Sequence, residues 1–371
     1  MNHPGLYIHV PFCRSKCPYC GFFSIASTSL VERWLNSLKK EISLYMGIFK
    51  NPFDSLYLGG GTPSILSLDQ LMEIMDCLFT CYQFDADTEI TIEANPGDMN
   101  REKIIGVKSA GINRVNLGVQ SFNDDELTFL GRRHCARDAE EAISCLRTSG
   151  IENVGVDLIY GIPGQSLEAW KGNLEKALIF KPEHISCYQL TIEQGSPFEG
   201  MKKKGIIKSL KEELEESFFL LTSELLEDRG YIHYEISNFA REESCYSRHN
   251  RKYWDHTPYL GLGPSAHSFD GASRWWNRRS VRGYCEALEN GNSPVDECED
   301  LNDEQIIMER VSLGLRTRWG FDQRILADNS ELKNLVIMLT DAGYIRVKDD
   351  MIIPTRKGFL IADHLPLCLL R

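Results

Sequence analysis

Short β-branched or apolar runs alternate with amphipathic stretches along the first half of the chain, and few architectures accept that order. "LYIHV" is followed by Leu30 to Tyr45, "SLYLGG" by Leu68 to Phe79, and "EITIEAN" by Arg101 to Ser109. "RVNLGVQ" then precedes Ala136 to Thr148, "VGVDLIYG" precedes Leu167 to Phe180, and "HISCYQLT" supplies a sixth strand. Six such units predict a parallel sheet with helices outside it and all strand-to-helix loops on one face. The chemically suggestive residues sit at the C-terminal ends of those strands: a cysteine loop, "GGGTP" at Gly59 to Pro63, Glu93, Gln120 and Asp157. Singly, each reads as local turn or cap chemistry. Five on one rim read as a site, because barrel-type α/β proteins build their sites there.

The rhythm changes near Leu210. A long amphipathic helix through Asp228 leads into the aromatic-rich segments "YIHYEISNFA" and "YSRHNRKYWDHTPYLGLGPSAHSF". From Asp303 the pattern reads helix, helix, then "GYIRVKDDMIIPT", a hairpin turning at Asp349-Asp350, which suggests a small winged-helix-like module. The expected division is therefore residues 1–210, 211–300 and 301–371. A formal net charge of -12 repels phosphate backbones, so no nucleic-acid partner is expected, and the basic run Lys202 to Lys204 reads as a solvated loop. No run approaches the roughly 18 apolar residues of a membrane span, and no secretory signal precedes the first strand. The cytoplasm is the expected compartment, and there the twelve cysteines should be mostly reduced.

In that compartment a tight cysteine cluster points to metal ligation or redox chemistry. Cys13, Cys17 and Cys20 fall within "YIHVPFCRSKCPYCGFF", and no fourth cysteine follows nearby. Four thiolates would close a metal site, whereas three leave one position for a ligand that is not protein. The Cys-x3-Cys-x2-Cys spacing also differs from the paired knuckles of structural zinc sites. Cys77 and Cys81, four apart on an expected helix, read as packing residues.

The cysteine triad at the end of a first strand, with Tyr19 before its last member, resembles the radical S-adenosylmethionine (SAM) superfamily. The resemblance implies a partial (β/α)6 barrel, with Cys13, Cys17 and Cys20 holding a [4Fe-4S] cluster whose fourth iron is chelated by SAM. It extends along most of the chain: "GGGTPS", "IEANPG", "RVNLGVQSF", "LGRRH" and "VDLIYGIPGQ" resemble oxygen-independent coproporphyrinogen III oxidases and their relatives. By that resemblance Tyr7, Gly60, Gly61, Thr62 and Glu93 would surround SAM. The glycines would let the backbone approach it without an obstructing Cβ. Tyr19, Gln120, Arg132, Asp157 and Thr191 match positions around a second SAM. The chain departs from the oxidase pattern twice: Phe22 stands where those enzymes carry another cysteine, and their longer N-terminal extension is missing.

"HNRKYW", His249 to Trp254, fits the His-Asn-x-x-Tyr-Trp pattern of HemW-like heme chaperones. The resemblance implies a heme site at His249, Asn250, Tyr253 and Trp254, with His249 the ligand candidate and Tyr246, His256 and Tyr259 enlarging the aromatic surface. His267 in "GPSAHSF" is a second candidate histidine. Read without the resemblance, the segment is an aromatic core with a hydrogen-bonded histidine. The expectation is a heme chaperone carrying a [4Fe-4S] cluster and SAM, which passes heme to apo-hemoproteins of the respiratory chain. Peripheral membrane association and a homodimer are compatible with it. The alternatives are an oxygen-independent coproporphyrinogen III oxidase and, against the acidic charge, a nucleic-acid-modifying radical SAM protein.

Overall fold

Side chains in a strand point alternately to two faces, and in this chain that alternation separates apolar from polar residues. In β1 (Gly5–Val10) Leu6, Ile8 and Val10 are fully buried on one face, and Tyr7 and His9 take the other. β2 (Phe53–Gly60), β3 (Phe84–Ala94), β4 (Arg114–Gln120), β5 (Asn153–Tyr160) and β6 (His184–Gln189) continue the arrangement. Ile90 and Ile92 oppose Glu89, Thr91 and Glu93, and Val115 and Leu117 oppose Arg114 and Asn116. The apolar face lies under α1 (Val31–Leu44), α2 (Leu68–Cys81), α3 (Arg101–Ser109), α5 (Ala136–Thr148) and α6 (Leu167–Ile179), whereas α4 (Asp124–Phe129) sends Phe129 to a separate small cluster with Leu130, Ile159 and Ile162. Each Leu, Ile or Val buried there contributes about 1.5–3 kcal/mol. The polar face is left to line the concave interior of a half-barrel. The computed structural model describes residues 3–326 and 330–370.

β1 to β6 pair in parallel and in sequence order, with Tyr7 beside Tyr57, Tyr57 beside Thr91, and Glu93 beside Asn116. The sheet continues past both ends of this set. After α7 (Pro197–Lys203) and α8 (Glu212–Asp228), β7 (Ile232–Glu235) and β8 (Asn238–Ala240) extend the β6 edge. The chain then crosses beneath the half-barrel as α9 (Arg248–Trp254) and reaches the opposite edge. There β9 (Tyr259–Leu262) pairs parallel to β1, and β10 (His267–Phe269), β11 (Ser273–Asn277), α10 (Val281–Glu289) and β12 (Val295–Asp300) follow. Residues 211–300 thus supply strands to both edges of one twelve-stranded sheet. Lys202 and Lys203 close α7 rather than forming part of a loop: Pro197 and the Ser196 cap start a helix, and cations suit its C-terminal end.

α11 (Asp303–Gly314), β13 (Phe321–Asp322), α12 (Ser330–Asp341), β14 (Ile345–Lys348) and β15 (Met351–Pro354) make a second unit. Its core is Val311, Leu315, Phe321, Ile345 and Ile352. The hairpin turns at Asp349 and Asp350, whose φ values of 51° and 64° are those of a two-residue type I′ turn. This unit is tied to the large sheet where Arg316 Nη2 donates to Glu235 Oε1 at 3.0 Å and the Arg318 amide to the Tyr234 carbonyl at 3.1 Å.

Candidate functional site

The cysteine loop leaves the C-terminal end of β1 and is closed at its base by two backbone bonds, Cys13 N–H to the Ile25 carbonyl at 3.0 Å and Ile25 N–H to the Pro11 carbonyl at 2.9 Å. The three thiols line a hollow of about 70 Å³ with Tyr19, Gly61, Thr62 and Arg132. The Thr62 hydroxyl donates to Cys13 Sγ at 3.3 Å and Arg132 Nη1 to Cys17 Sγ at 3.5 Å. Among the described residues no three His, Cys, Asp or Glu side chains converge on a single ion. A multi-iron cluster does not need them to, because each thiolate can take a different iron. Three thiolates with two donors on their sulfurs therefore fit a [4Fe-4S] cluster.

Further into the half-barrel, Glu93 accepts from the Tyr57 hydroxyl at 2.8 Å and from the Gly60 amide at 3.1 Å. Burial pushes its carboxyl up to about 7, and burial pushes that of Asp157 up to about 6. Thr91 Oγ1, Asn116 Oδ1 and Arg132 Nε are buried with no hydrogen-bond partner among the described residues. Buried polar atoms of this kind are normally satisfied, so the interior suits a polar occupant such as SAM. Tyr7 bonds through its hydroxyl to His9 Nδ1 at 3.0 Å, and His9 Nε2 to the Phe23 carbonyl at 2.8 Å, which ties Tyr7 to the cysteine loop. Gln120 sits at a bulge in β4 with φ 70°, and Thr191 is exposed just past β6. Neither lines the thiol hollow.

The glycines have a nearer reason than cofactor approach. A Cβ on Gly60, whose φ is 104°, would stand 2.5 Å from the His9 ring, and one on Gly61 would stand 2.6 Å from the Phe12 carbonyl oxygen. The protein's own atoms already fill that space.

At the opposite end of the interior, α9 begins at Ser247, whose hydroxyl accepts from the Asn250 amide. The Arg248 and His249 amides donate to Glu89 Oε1 at 2.9 and 3.4 Å. Residues four apart share a helix face, and the "HNRKYW" motif divides accordingly. His249 and Tyr253 turn into the half-barrel, where His249 Nδ1 meets Ser55 Oγ at 3.2 Å and Nε2 meets the Tyr253 hydroxyl at 2.9 Å. The imidazole is fully buried against the Tyr7 and Tyr57 rings, which also touch each other, and burial lowers its pKa to about 3. Trp254 packs instead with Tyr234, in the cluster that contains Tyr246, and half-buried Asn250 shares its face of the helix. The motif therefore does not present one continuous aromatic surface. Tyr259 and His256 side with Tyr253, whereas His267 is exposed and stacked on Trp276.

His9, Ser55, Tyr57 and Asn116 belong to this interior although the sequence reading passed over them. Their signal was available, since each lies an even number of positions from an inward-facing neighbour in its own strand.

A half-barrel of parallel strands with three thiols on its C-terminal rim is the architecture of radical SAM proteins, and the Radical SAM superfamily matches residues 7–177. Members of this superfamily typically use a [4Fe-4S] cluster and SAM. The heme chaperone HemW of Bacillus subtilis is 32% identical over 96% of this chain and 97% of its own length, and that of Synechocystis is 34% identical over 91% and 84%. The chain belongs to the HemW heme-chaperone family. Among solved structures, coproporphyrinogen III oxidase (HemN) from Escherichia coli, a radical SAM enzyme, superposes with a TM-score of 0.84 at 25% identity, covering 99% of this chain and 90% of that one.

Proposed function

We propose that this protein binds heme at the end of the half-barrel closed by α9 and delivers it to apo-hemoproteins, respiratory-chain hemoproteins among them. The opposite rim would carry a [4Fe-4S] cluster on Cys13, Cys17 and Cys20. Membership of the HemW family is the observation that carries the reading. Phe22, 69% exposed where the oxidases have a further cysteine, supports a chaperone over an oxidase. When bound, the cluster supplies an electron source and an iron with an open coordination position. Thr62 and Arg132 would donate to the sulfurs of Cys13 and Cys17, and Glu93, held by Tyr57 and Gly60, would accept donors of SAM in the interior. Tyr7, Asp157 and Gln120 would complete that lining, with Tyr19 and Thr191 toward its mouth.

His249 can reach an iron only after the Tyr253 hydroxyl gives up Nε2, so Tyr253 would control access to it. The small C-terminal unit, helices against a three-stranded antiparallel sheet, supports a winged-helix-like reading. The overall charge of -12 suits a protein partner rather than a nucleic acid. No helix among the described residues is long and apolar enough to cross a membrane. A cytoplasmic chaperone that meets its recipients at the membrane surface, alone or as a homodimer, accords with this. The test is anaerobic reconstitution, followed by hemin titration and by incubation with coproporphyrinogen III, SAM and a low-potential reductant. Saturable hemin binding without decarboxylation is expected. Protoporphyrinogen IX formation, or no saturable hemin binding, would overturn the reading.

A further inference from the structure

Beneath the half-barrel, between α9, β9 to β11 and α11, lies a cavity of about 420 Å³. Tyr253, Tyr259, Phe269, Met308 and Leu313 give it apolar walls, and Lys252 and Arg274 stand among them. We propose that this cavity is the seat of the porphyrin cargo. The inference rests on the heme-chaperone reading and names where that cargo lies.

The chemistry matches a flat apolar ring with carboxylate side arms. The volume falls within the roughly 300–1,000 Å³ of small-molecule sites. Tyr253 and Tyr259 meet edge to face at 4.8 Å, a rigid aromatic corner against which a planar ring can stack. Met308, on the opposite wall, is 51% exposed, and a thioether adapts to an irregular apolar ligand. The Lys252 ammonium is already held by Asp54 Oδ1 at 2.6 Å and the His3 carbonyl at 2.8 Å, so Lys252 lends the wall its stem and Arg274 is the cation that can meet a carboxylate. Arg274 is fixed by Glu309 through paired bonds of 2.9 Å, and its weaker contact to exposed Glu299, at 3.4 Å, is one that an incoming carboxylate can replace. Glu309 also holds His256 Nε2 at 2.7 Å, so one carboxylate sets two walls of the cavity.

The cavity also explains how the divided motif works. The Tyr253 ring is part of its wall, and the Tyr253 hydroxyl covers His249 Nε2. A porphyrin seated here is separated from the buried imidazole by a single side chain.

The test uses the full chain with hemin and with metal-free protoporphyrin IX, whose binding requires no iron ligand. Met308→Glu, which sets a carboxylate against the cargo's own, and Ser312→Trp alter the α11 wall, and Ile337→Glu alters a similarly exposed apolar residue on α12, away from the cavity. Met308→Glu and Ser312→Trp should each weaken both porphyrins at least tenfold with an unchanged circular dichroism melt, and Ile337→Glu should not. Wild-type affinity in both cavity variants would sink the site while leaving the chaperone reading intact. Equal weakening by Ile337→Glu would show non-specific adsorption and sink it too. Absence of saturable hemin binding in the wild type would remove both readings together.

Discussion

Replacing His249 with alanine should destabilise the ligand-free protein strongly, before any question of heme arises. The ring is fully buried, packs against both Tyr7 and Tyr57, and satisfies two hydroxyls, those of Ser55 and Tyr253. Emptying a buried site of this size costs about 2–4 kcal/mol. Each hydroxyl left without its partner adds about 1 kcal/mol. The expected loss is roughly 4–6 kcal/mol, a large part of the 5–15 kcal/mol by which domains are stable. Urea unfolding followed by far-ultraviolet circular dichroism measures it: at a slope near 2–3 kcal/mol per molar, the midpoint should fall by more than about 1 M. A midpoint within about 0.2 M of wild type would refute the packing described for the imidazole. The consequence for ligand assignment is direct. Weak heme binding by His249→Ala would report lost structure as readily as a lost ligand, so only variants that keep the fold can identify the iron's partner.

Tyr253→Phe is such a variant, since it keeps the ring and removes only the hydroxyl over His249 Nε2. It should cost about 1 kcal/mol in stability and shift the Soret band of bound heme; an identical spectrum would show that the Tyr253 hydroxyl does not control the access of His249 to the iron. Gly60→Val places a branched side chain at φ 104° against His9, which anchors the cysteine loop through Phe23. Iron and sulfide content after anaerobic reconstitution should therefore fall, and full loading would contradict the link from His9 to the loop. Alanine at Cys13, Cys17 or Cys20 should abolish the visible charge-transfer absorption of the cluster, whereas Cys77→Ala should leave it unchanged. Glu41 is fully buried among the Gly263 amide, Asn277 and Tyr284, and burial raises its carboxyl from 4.5 to about 7. The raised value means the folded state holds the proton between those pH values, so this stabilisation is complete below 4.5 and lost as pH rises through about 7. The stability deficit of Glu41→Gln relative to wild type should accordingly narrow by about 3 kcal/mol between pH 4.5 and 8, and urea midpoints that diverge with rising pH would exclude the assignment.

The order of the six parallel strands, the loops on one rim and the cysteine loop among them were legible because each depends on residues close in sequence. Alternation within a strand, the spacing of Cys13, Cys17 and Cys20, and the Asp349-Asp350 turn are local properties of the backbone. "HNRKYW" was legible as a motif and as a histidine with aromatic neighbours. Its division was decided by the 3.6-residue period of α9 together with the docking of that helix beneath the strands, which buries His249 and Tyr253 on one side and sends Trp254 to Tyr234 on the other. The extension of the sheet by β9 to β12 beyond β1 likewise depends on pairing between residues some 250 positions apart, such as Tyr7 with Gly261. The cavity joins Lys252, Arg274 and Glu309 from three separate elements, and no spacing along the chain announces it. By itself the sequence determined which side chains could ligate, cap or turn. The tertiary structure decided which of them share a surface, because that depends on long-range packing and burial rather than on order along the chain.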